Sequence, residues 1–425
     1  MDLIKRTIRD KAPFLFSFVF SKASVFLIPL LMAEILTKEN FGILEYALAG
    51  LGMVLKSTLN LGVPGAYPFF KLRKKNLKIL NGFTIHYLWL LVFFIGNQLA
   101  YYFFNLSVEY YMALNVSYII ANQVFISTQL KTVGAISKAV LFDSGIYLTL
   151  LVFIVLNASG FVDSTLGNIN FCIQFYAIIY AINALTKLTK VKRSMFLKYI
   201  EIIKFSYHLL FASILIFFIT VSGRLLIEYF FNDFEIVGIY AFYFRLAALV
   251  VMIYQVISIA FFKDIYTLDP KILDKYFSYF FVGLYVISTV AFILSKSIVP
   301  YFSDFYVSTI DNYDGVYFIL SSQVVFWISS ALMSNITDRE ELAKRITPLF
   351  LVLILLFLLV LYLIQDFLTL RVYTMIHFVV FLIATLLQIL VLYRKKIVFK
   401  RSAISLSLIF SITLMIYFVK YSVGT

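Results

Sequence analysis

Charge is scarce in this chain: 14% of its 425 residues are Asp, Glu, Lys or Arg, while 62% are hydrophobic. A soluble domain of that length needs far more charge to cover its surface, so the composition excludes an ordinary soluble globular protein. Cysteine is nearly missing. A single residue, Cys172, lies inside an apolar block, which rules out an intramolecular disulfide and a metal site built on thiolates. The three histidines, His86, His208 and His377, fall on separate segments and read as packing or interfacial residues. Enzyme signatures are lacking too. There is no G-x-x-x-x-G-K-[ST] loop for ATP hydrolysis, no G-x-S-x-G elbow and no H-E-x-x-H zinc helix. Neither a metal nor a cofactor is expected, and the chain does not read as an enzyme. The largest outer loop, around "PYFSDFYVSTIDNYDG", is short, and its Asp304, Asp311 and Asp314 read as a solvated rim.

What is present is a series of continuous apolar blocks of about twenty residues, the length of an α-helix that crosses a bilayer. Barrel strands would be about half as long and would alternate apolar with polar. Windowed hydropathy predicts spans at 12–36, 41–64, 82–104, 111–130, 135–156, 168–187, 204–231, 236–262, 276–298, 314–336, 346–364 and 371–393, with a thirteenth at 402–422. The first span lacks a small-x-small cleavage site and contains Lys22, so it is expected to be retained rather than removed as a signal peptide.

The net charge of +14 is a topology signal and not a nucleic-acid footprint, because the basic residues form short clusters between apolar blocks. Twenty-eight of the 36 lysines and arginines fall on one side of the predicted alternation, in clusters such as Lys71, Arg73, Lys74, Lys75 and Lys78. That side is the cytoplasm, and with it the N-terminus. The longest basic loop follows span 6, so the expected organisation is a six-helix lobe over 1–195, a second over 196–395 and an added segment over 396–425. Both lobes start from the same side, which makes any repeat a parallel one. A faint echo supports it: "FGILEYALAGLGMVLKS" opens span 2 and "VGIYAFYFRLAALVVMI" opens span 8.

Four cations lie inside spans: Lys22, Lys56, Arg224 and Arg245. At about 1.5 Å per residue, Lys56 is roughly 18 Å from a cytoplasmic end near residue 68 and roughly 24 Å from the outer end near residue 40, beyond the roughly 6 Å that a lysine stem reaches. Lys22 and Arg245 are roughly 15 Å deep by the same arithmetic. Arg224 stands nearer the outer end with Glu228 one turn on, and the two are expected to pair along one helix face. Facing lipid would cost each deep cation at least about 2.5 kcal/mol, so they are expected to face a bundle interior or a wet cavity. Small and polar residues share their faces: Glu45, Ala49, Gly52 and Asn60 with Lys56, and Ala241, Ala248 and Gln255 with Arg245. Asn115, Asn122 and Gln129 repeat every seven residues on span 4, a set suited either to interhelical hydrogen bonds or to sugar contact. Asp143 and Glu228 are the acidic residues at comparable depth, whereas Glu45 is placed nearer the surface. Positive charge is therefore in surplus, which points to an anionic substrate.

With these residues in view, the sequence resembles Wzx-type polysaccharide flippases, of the superfamily that also contains peptidoglycan-precursor flippases and multidrug extruders. The resemblance is carried by "FLIPLLMAEILTKENFGILEYALAGLGMVLKSTLNLGVPGAYP" and "SGRLLIEYFFNDFEIVGIYAFYFRLAAL", each a helix, a short turn, a Gly before an apolar residue and a Tyr, and a second helix. It implies an all-α integral membrane fold of twelve core helices in two six-helix lobes around a central cavity, here with a thirteenth helix. It also implies a bacterial inner-membrane location, an undecaprenyl-pyrophosphate-linked oligosaccharide as substrate, and association with polysaccharide polymerase and chain-length machinery. By the same likeness Lys22, Lys56 and Arg245 would line the cavity and hold the pyrophosphate, two of them lysines where such relatives usually carry arginine. Arg224, Asn60, Asn115, Asn122, Gln129 and Gln255 are secondary candidates, and Asp143 and Glu45 are candidates for ion coupling. A multidrug extruder would need buried carboxylates for cationic drugs, and a membrane polymerase or ligase would need a larger outer loop.

Overall fold

The computed structural model describes the backbone of residues 2–75, 77–189, 191–260, 265 and 268–421, with side chains from residue 16 onward except at 73, 77 and 256–260. Lys190, Lys263 and the end of the predicted span 236–262 lie outside the described residues. Every regular element among those described is helical. Among the described residues ten helices are long and apolar enough to cross a membrane, or eleven if the bent pair at Ile136–Asp143 and Gly145–Ala158 is one span. The chain is a helical membrane protein in this sense, with two compact units.

The first unit comprises Met1–Phe217, Gly223–Glu228 and Asp233–Gly238. Its helices are α1 (Asp2–Ile35), α2 (Lys38–Ala49), α3 (Leu51–Asn60), α4 (Val63–Pro68), α5 (Leu77–Leu80), α6 (Thr84–Phe104), α7 (Val108–Thr132), α8 (Ile136–Asp143), α9 (Gly145–Ala158), α10 (Leu166–Leu188) and α11 (Ser194–Thr220), joined by most of α12 (Gly223–Phe231) and the first residues of α13 (Phe234–Ala248). Local chemistry sets the boundaries. The Thr37 hydroxyl accepts from the Asn40 amide to cap α2, and Thr165 does the same for α10 through Asn168. After α3 the chain reverses through Leu61 and Gly62, both left-handed, at φ 51° and 72°. A side chain at Gly62 would collide with the Ser206 carbonyl on α11, so this turn needs glycine for its conformation and for its space. Ser206 in turn donates to the Leu61 carbonyl at 2.8 Å, and Phe69 stacks on Phe205. These contacts explain why α11, expected to open the second lobe after residue 195, clusters with the first unit up to Phe217.

Four predicted spans are broken, among them 204–231 between Thr220 and Gly223 and 236–262 between Ala248 and Val251. Span 41–64 divides at Gly50 into α2 and α3, and span 135–156 bends by 59° between α8 and α9 at Ser144. Helix α7 occupies the fourth predicted span at 25 residues, yet it is not among the ten apolar helices, because Asn, Gln and Ser fill its buried face.

The second unit comprises Phe218–Ser222, Tyr229–Asn232 and Ile239–Thr425. It contains the rest of α13, then α14 (Val251–Ala260), α15 (Pro270–Ile298), α16 (Asp304–Arg339), α17 (Ala343–Leu363), α18 (Leu370–Tyr393) and α19 (Lys400–Tyr421). Helix α16 is its centre: 89% of its apolar window is buried, and Ser329 and Ser330 meet Thr385 and Gln388 of α18 across it. The thirteenth predicted segment is the continuous helix α19, and it docks on α15. Asp274 of α15 accepts from the Arg401 and Ser402 amides at 3.0 and 2.8 Å, so a carboxylate from another helix caps α19. Higher up, Ser278 bonds Ser405, and Thr413 bonds Tyr285. Asp274→Ala leaves two amides uncapped and is expected to cost about 0.5–2 kcal/mol at that end of the helix. Limited proteolysis between α18 and α19 should then cut the variant faster than wild type, with the cores of both units unaffected.

Candidate functional site

In the first unit the sequence-predicted cations fall in three different settings. Arg224 does not pair with Glu228, as the helical spacing suggested. Its Nε donates to Glu45 Oε2 at 2.9 Å, and the two side chains are only 2% and 0% exposed. Glu228 instead faces the Tyr46 hydroxyl. The reason is geometric. Helix α12 turns Arg224 onto α2, where the buried Glu45 supplies the opposite charge that a buried guanidinium needs. Glu45 is thus packed into the protein interior.

Asp143 has a local partner. It ends α8 at the bend before α9 and accepts from Lys131 at 2.8 Å, in a pair with side chains 37% and 48% exposed. Lys22 on α1 lies within electrostatic reach of that pair and sits 5.8 Å from the Phe18 ring, but it forms no salt bridge among the described residues. Lys56 on α3 has less still. It is half-buried, and among the described residues it has no hydrogen bond, ion pair or ring contact.

A polar chain runs from the end of the same helix. Asn60 Oδ1 is 3.4 Å from His86 Nε2, and His86 Nδ1 is 2.9 Å from the Tyr199 hydroxyl. Because Asn60 offers an oxygen, the proton of the neutral ring belongs on Nε2 and Nδ1 accepts from tyrosine. His86 was read from the sequence as packing, and it is fully buried, but it also joins α3, α6 and α11.

Two of the three residues of the polar repeat on α7, Asn115 and Gln129, bond to α6, while Asn122 bonds within α7. Asn115 Oδ1 accepts from Asn97 at 2.8 Å and from Gln98 at 3.0 Å, Asn122 donates to the Tyr118 carbonyl, and Gln129 accepts from Tyr87. Asn115 and Asn122 are fully buried; Gln129 is half-buried. No family model, curated protein or solved structure matches this chain. Its functional reading therefore rests on its own residues. In the second unit Arg245 is buried on α13, at 6% exposure, and Gln255 is half-buried on α14. No group of three or more metal-ligating side chains occurs among the described residues.

What the arrangement can do chemically follows from charge. With Glu45 given to Arg224 and Asp143 to Lys131, Lys22 and Lys56 are the two of the first unit's three sequence-predicted cations that have no salt bridge among the described residues. Such groups favour an anion that arrives and leaves, since a resident carboxylate would already neutralise them.

Proposed function

We propose that the chain is a flippase that carries an undecaprenyl-pyrophosphate-linked oligosaccharide across a bacterial inner membrane for surface polysaccharide synthesis. The observation that carries this reading is Lys56: half-buried on α3, within the apolar α2–α3 segment Lys38–Asn60, without a counter-ion among the described residues. In this reading twelve core helices form two six-helix lobes, α19 is a thirteenth crossing and the N-terminus is cytoplasmic. Lys22, Lys56 and Arg245 attract the pyrophosphate, and the lobes alternate access to the two leaflets. Lysine serves as a point charge rather than a bidentate clamp, which suits a substrate that must be released. Export of the anion is assisted by an inside-negative potential at about 2.3 kcal/mol per charge per 100 mV. The product would pass to polymerase and chain-length proteins in the same membrane.

The test is reconstitution of the full chain in vesicles with a labelled lipid-linked oligosaccharide, scoring arrival in the opposite leaflet. Removing a charge-assisted contact worth about 1.5–3 kcal/mol should slow transport by roughly tenfold or more in Lys56→Ala and in Arg245→Ala. Undiminished transport in both variants would sink the cationic-cavity model.

A further inference from the structure

We propose that the first unit contains a second ligand site, apart from Lys22 and Lys56: a pocket open to the bilayer that takes the phosphate-bearing headgroup of a membrane lipid. A cavity of about 500 Å³ lies among α6, α7, α8 and α10, and its polar lining is Tyr87, Gln129, Tyr176, Tyr180, Asn183 and Lys187. It lies toward the ends of α7 and α10 that carry Lys131 and Lys187.

The mouth is apolar. Phe142 and Ile179 are 39% and 48% exposed, and the same outward face of α10 continues through Phe175, Ile182 and Leu185, all exposed. On a membrane-length helix such a face meets acyl chains. The interior is different: three tyrosine rings, two amides and a lysine that has no ion pair among the described residues. Polar groups grouped behind a lipid-facing wall are costly unless a ligand meets them.

These groups are held in place. The Tyr176 and Tyr180 hydroxyls are 2.9 Å apart, Gln123 donates to Tyr176 at 3.3 Å, and Tyr87 donates to Gln129 at 3.3 Å. Gly145, the first residue of α9, makes room for them, since a side chain there would strike the Tyr176 hydroxyl. The bend between α8 and α9 brings Phe142 to the cavity on one side and Gly145 to this network on the other.

An occupant must therefore be anionic at one end for Lys187, hydroxylated in the middle for Asn183 and Gln129, and apolar where it leaves past Ile179. A lipid headgroup has this order. The volume suits a headgroup whose chains stay in the bilayer. Two sources share the chemistry, a bulk anionic phospholipid and a polyprenyl phosphate, and the site is assigned to their common phosphate.

Native mass spectrometry of the full chain in mild detergent tests this with three probes: phosphatidylglycerol, undecaprenyl phosphate and a diacylglycerol with the same chains as the first. One phosphate lipid should be retained per protein and the diacylglycerol should not. Lys187→Gln should weaken retention about tenfold, as loss of a charge-assisted hydrogen bond requires. The conservative Lys187→Arg should retain it, and Lys78→Gln, outside the pocket, should leave it unchanged. Stronger retention of phosphatidylglycerol would support the site as one for bulk lipid, and stronger retention of undecaprenyl phosphate would support it as one for the carrier. Equal retention of diacylglycerol, or Lys187→Gln binding as wild type does, would overturn the proposal. Transport by Lys56→Ala is a separate readout, so failure here and failure of the flippase reading are distinguishable.

Discussion

Glu45→Gln is expected to destabilise the chain by about 3–5 kcal/mol, and Arg224→Met by a similar amount. Each removes one member of a buried pair at 2.9 Å and takes from the other the opposite charge it is bonded to, in a site that is 2% exposed or less. The large effect is not the worth of the ion pair, because two desolvated charges repay little beyond their own burial. It is the cost of burying one without the other. The double variant Glu45→Leu with Arg224→Met, which buries neither, should therefore recover most of the loss. A thiol-reactive dye can follow unfolding in detergent, because Cys172, half-buried on α10, is the single cysteine. Apparent midpoints of the single variants within a degree or two of wild type would show that the pair is not closed in the protein. A double variant as unstable as the sum of the singles would show that the two residues act independently.

That pair also shows how far the sequence could be read. Apolar blocks of twenty residues can hardly be anything but helices, and the described residues of the predicted spans are mostly helical, with ten or eleven helices long and apolar enough to cross a membrane among them. Their interruptions were less legible. Nothing in the periodicity of 41–64 marks Gly50 as a break rather than a small residue on a packing face, and Ser144 interrupts 135–156 without Pro or Gly at the bend itself. Partner choice was the least legible. Helical spacing proposes Glu228 for Arg224 because it knows only local neighbours, whereas the observed partner lies 179 residues away. The surplus of cations survives this correction because Lys131, a residue counted among the loop charges, takes Asp143. The tyrosines of the α10 pocket were not singled out, since rings on an apolar helix look like lipid-facing packing. The spacing of Tyr176 and Tyr180 by one turn, opposite the amides of α7, was the signal available.

Gly42→Ala is expected to cost about 1–3 kcal/mol, and Gly42→Leu more, even though alanine is the better helix former. A Cβ at Gly42 would land on the Phe234 carbonyl and close to the Gly238 nitrogen, and a Cβ at Gly238 would land on the Lys38 carbonyl and 3.1 Å from the Gly42 nitrogen. The contact is reciprocal: each glycine meets the carbonyl four residues before the other, so α2 and the start of α13 touch backbone to backbone inside the first unit. Small residues are the means by which membrane helices approach this closely. Tyr46 edge-on to Phe234 and Lys38 at 3.8 Å from Glu235 flank the crossing. These are the two glycines that open "GILEYALAG" and "GIYAFYFRL", the faint sequence echo, and their mutual contact gives that echo a physical cause: equivalent turns of the two helices must both be bare for either to fit. Gly238→Ala should therefore match Gly42→Ala in size. The double variant should lose less than the sum, because the first substitution has already parted the helices. Gly96 and Gly283 supply the control, since a Cβ at either meets nothing within 4 Å; alanine there should be neutral or stabilising by up to about 1 kcal/mol. Equal midpoints for Gly42→Ala and Gly96→Ala in the same dye assay would refute the crossing. A loss at Gly42 with none at Gly238 would refute its reciprocity.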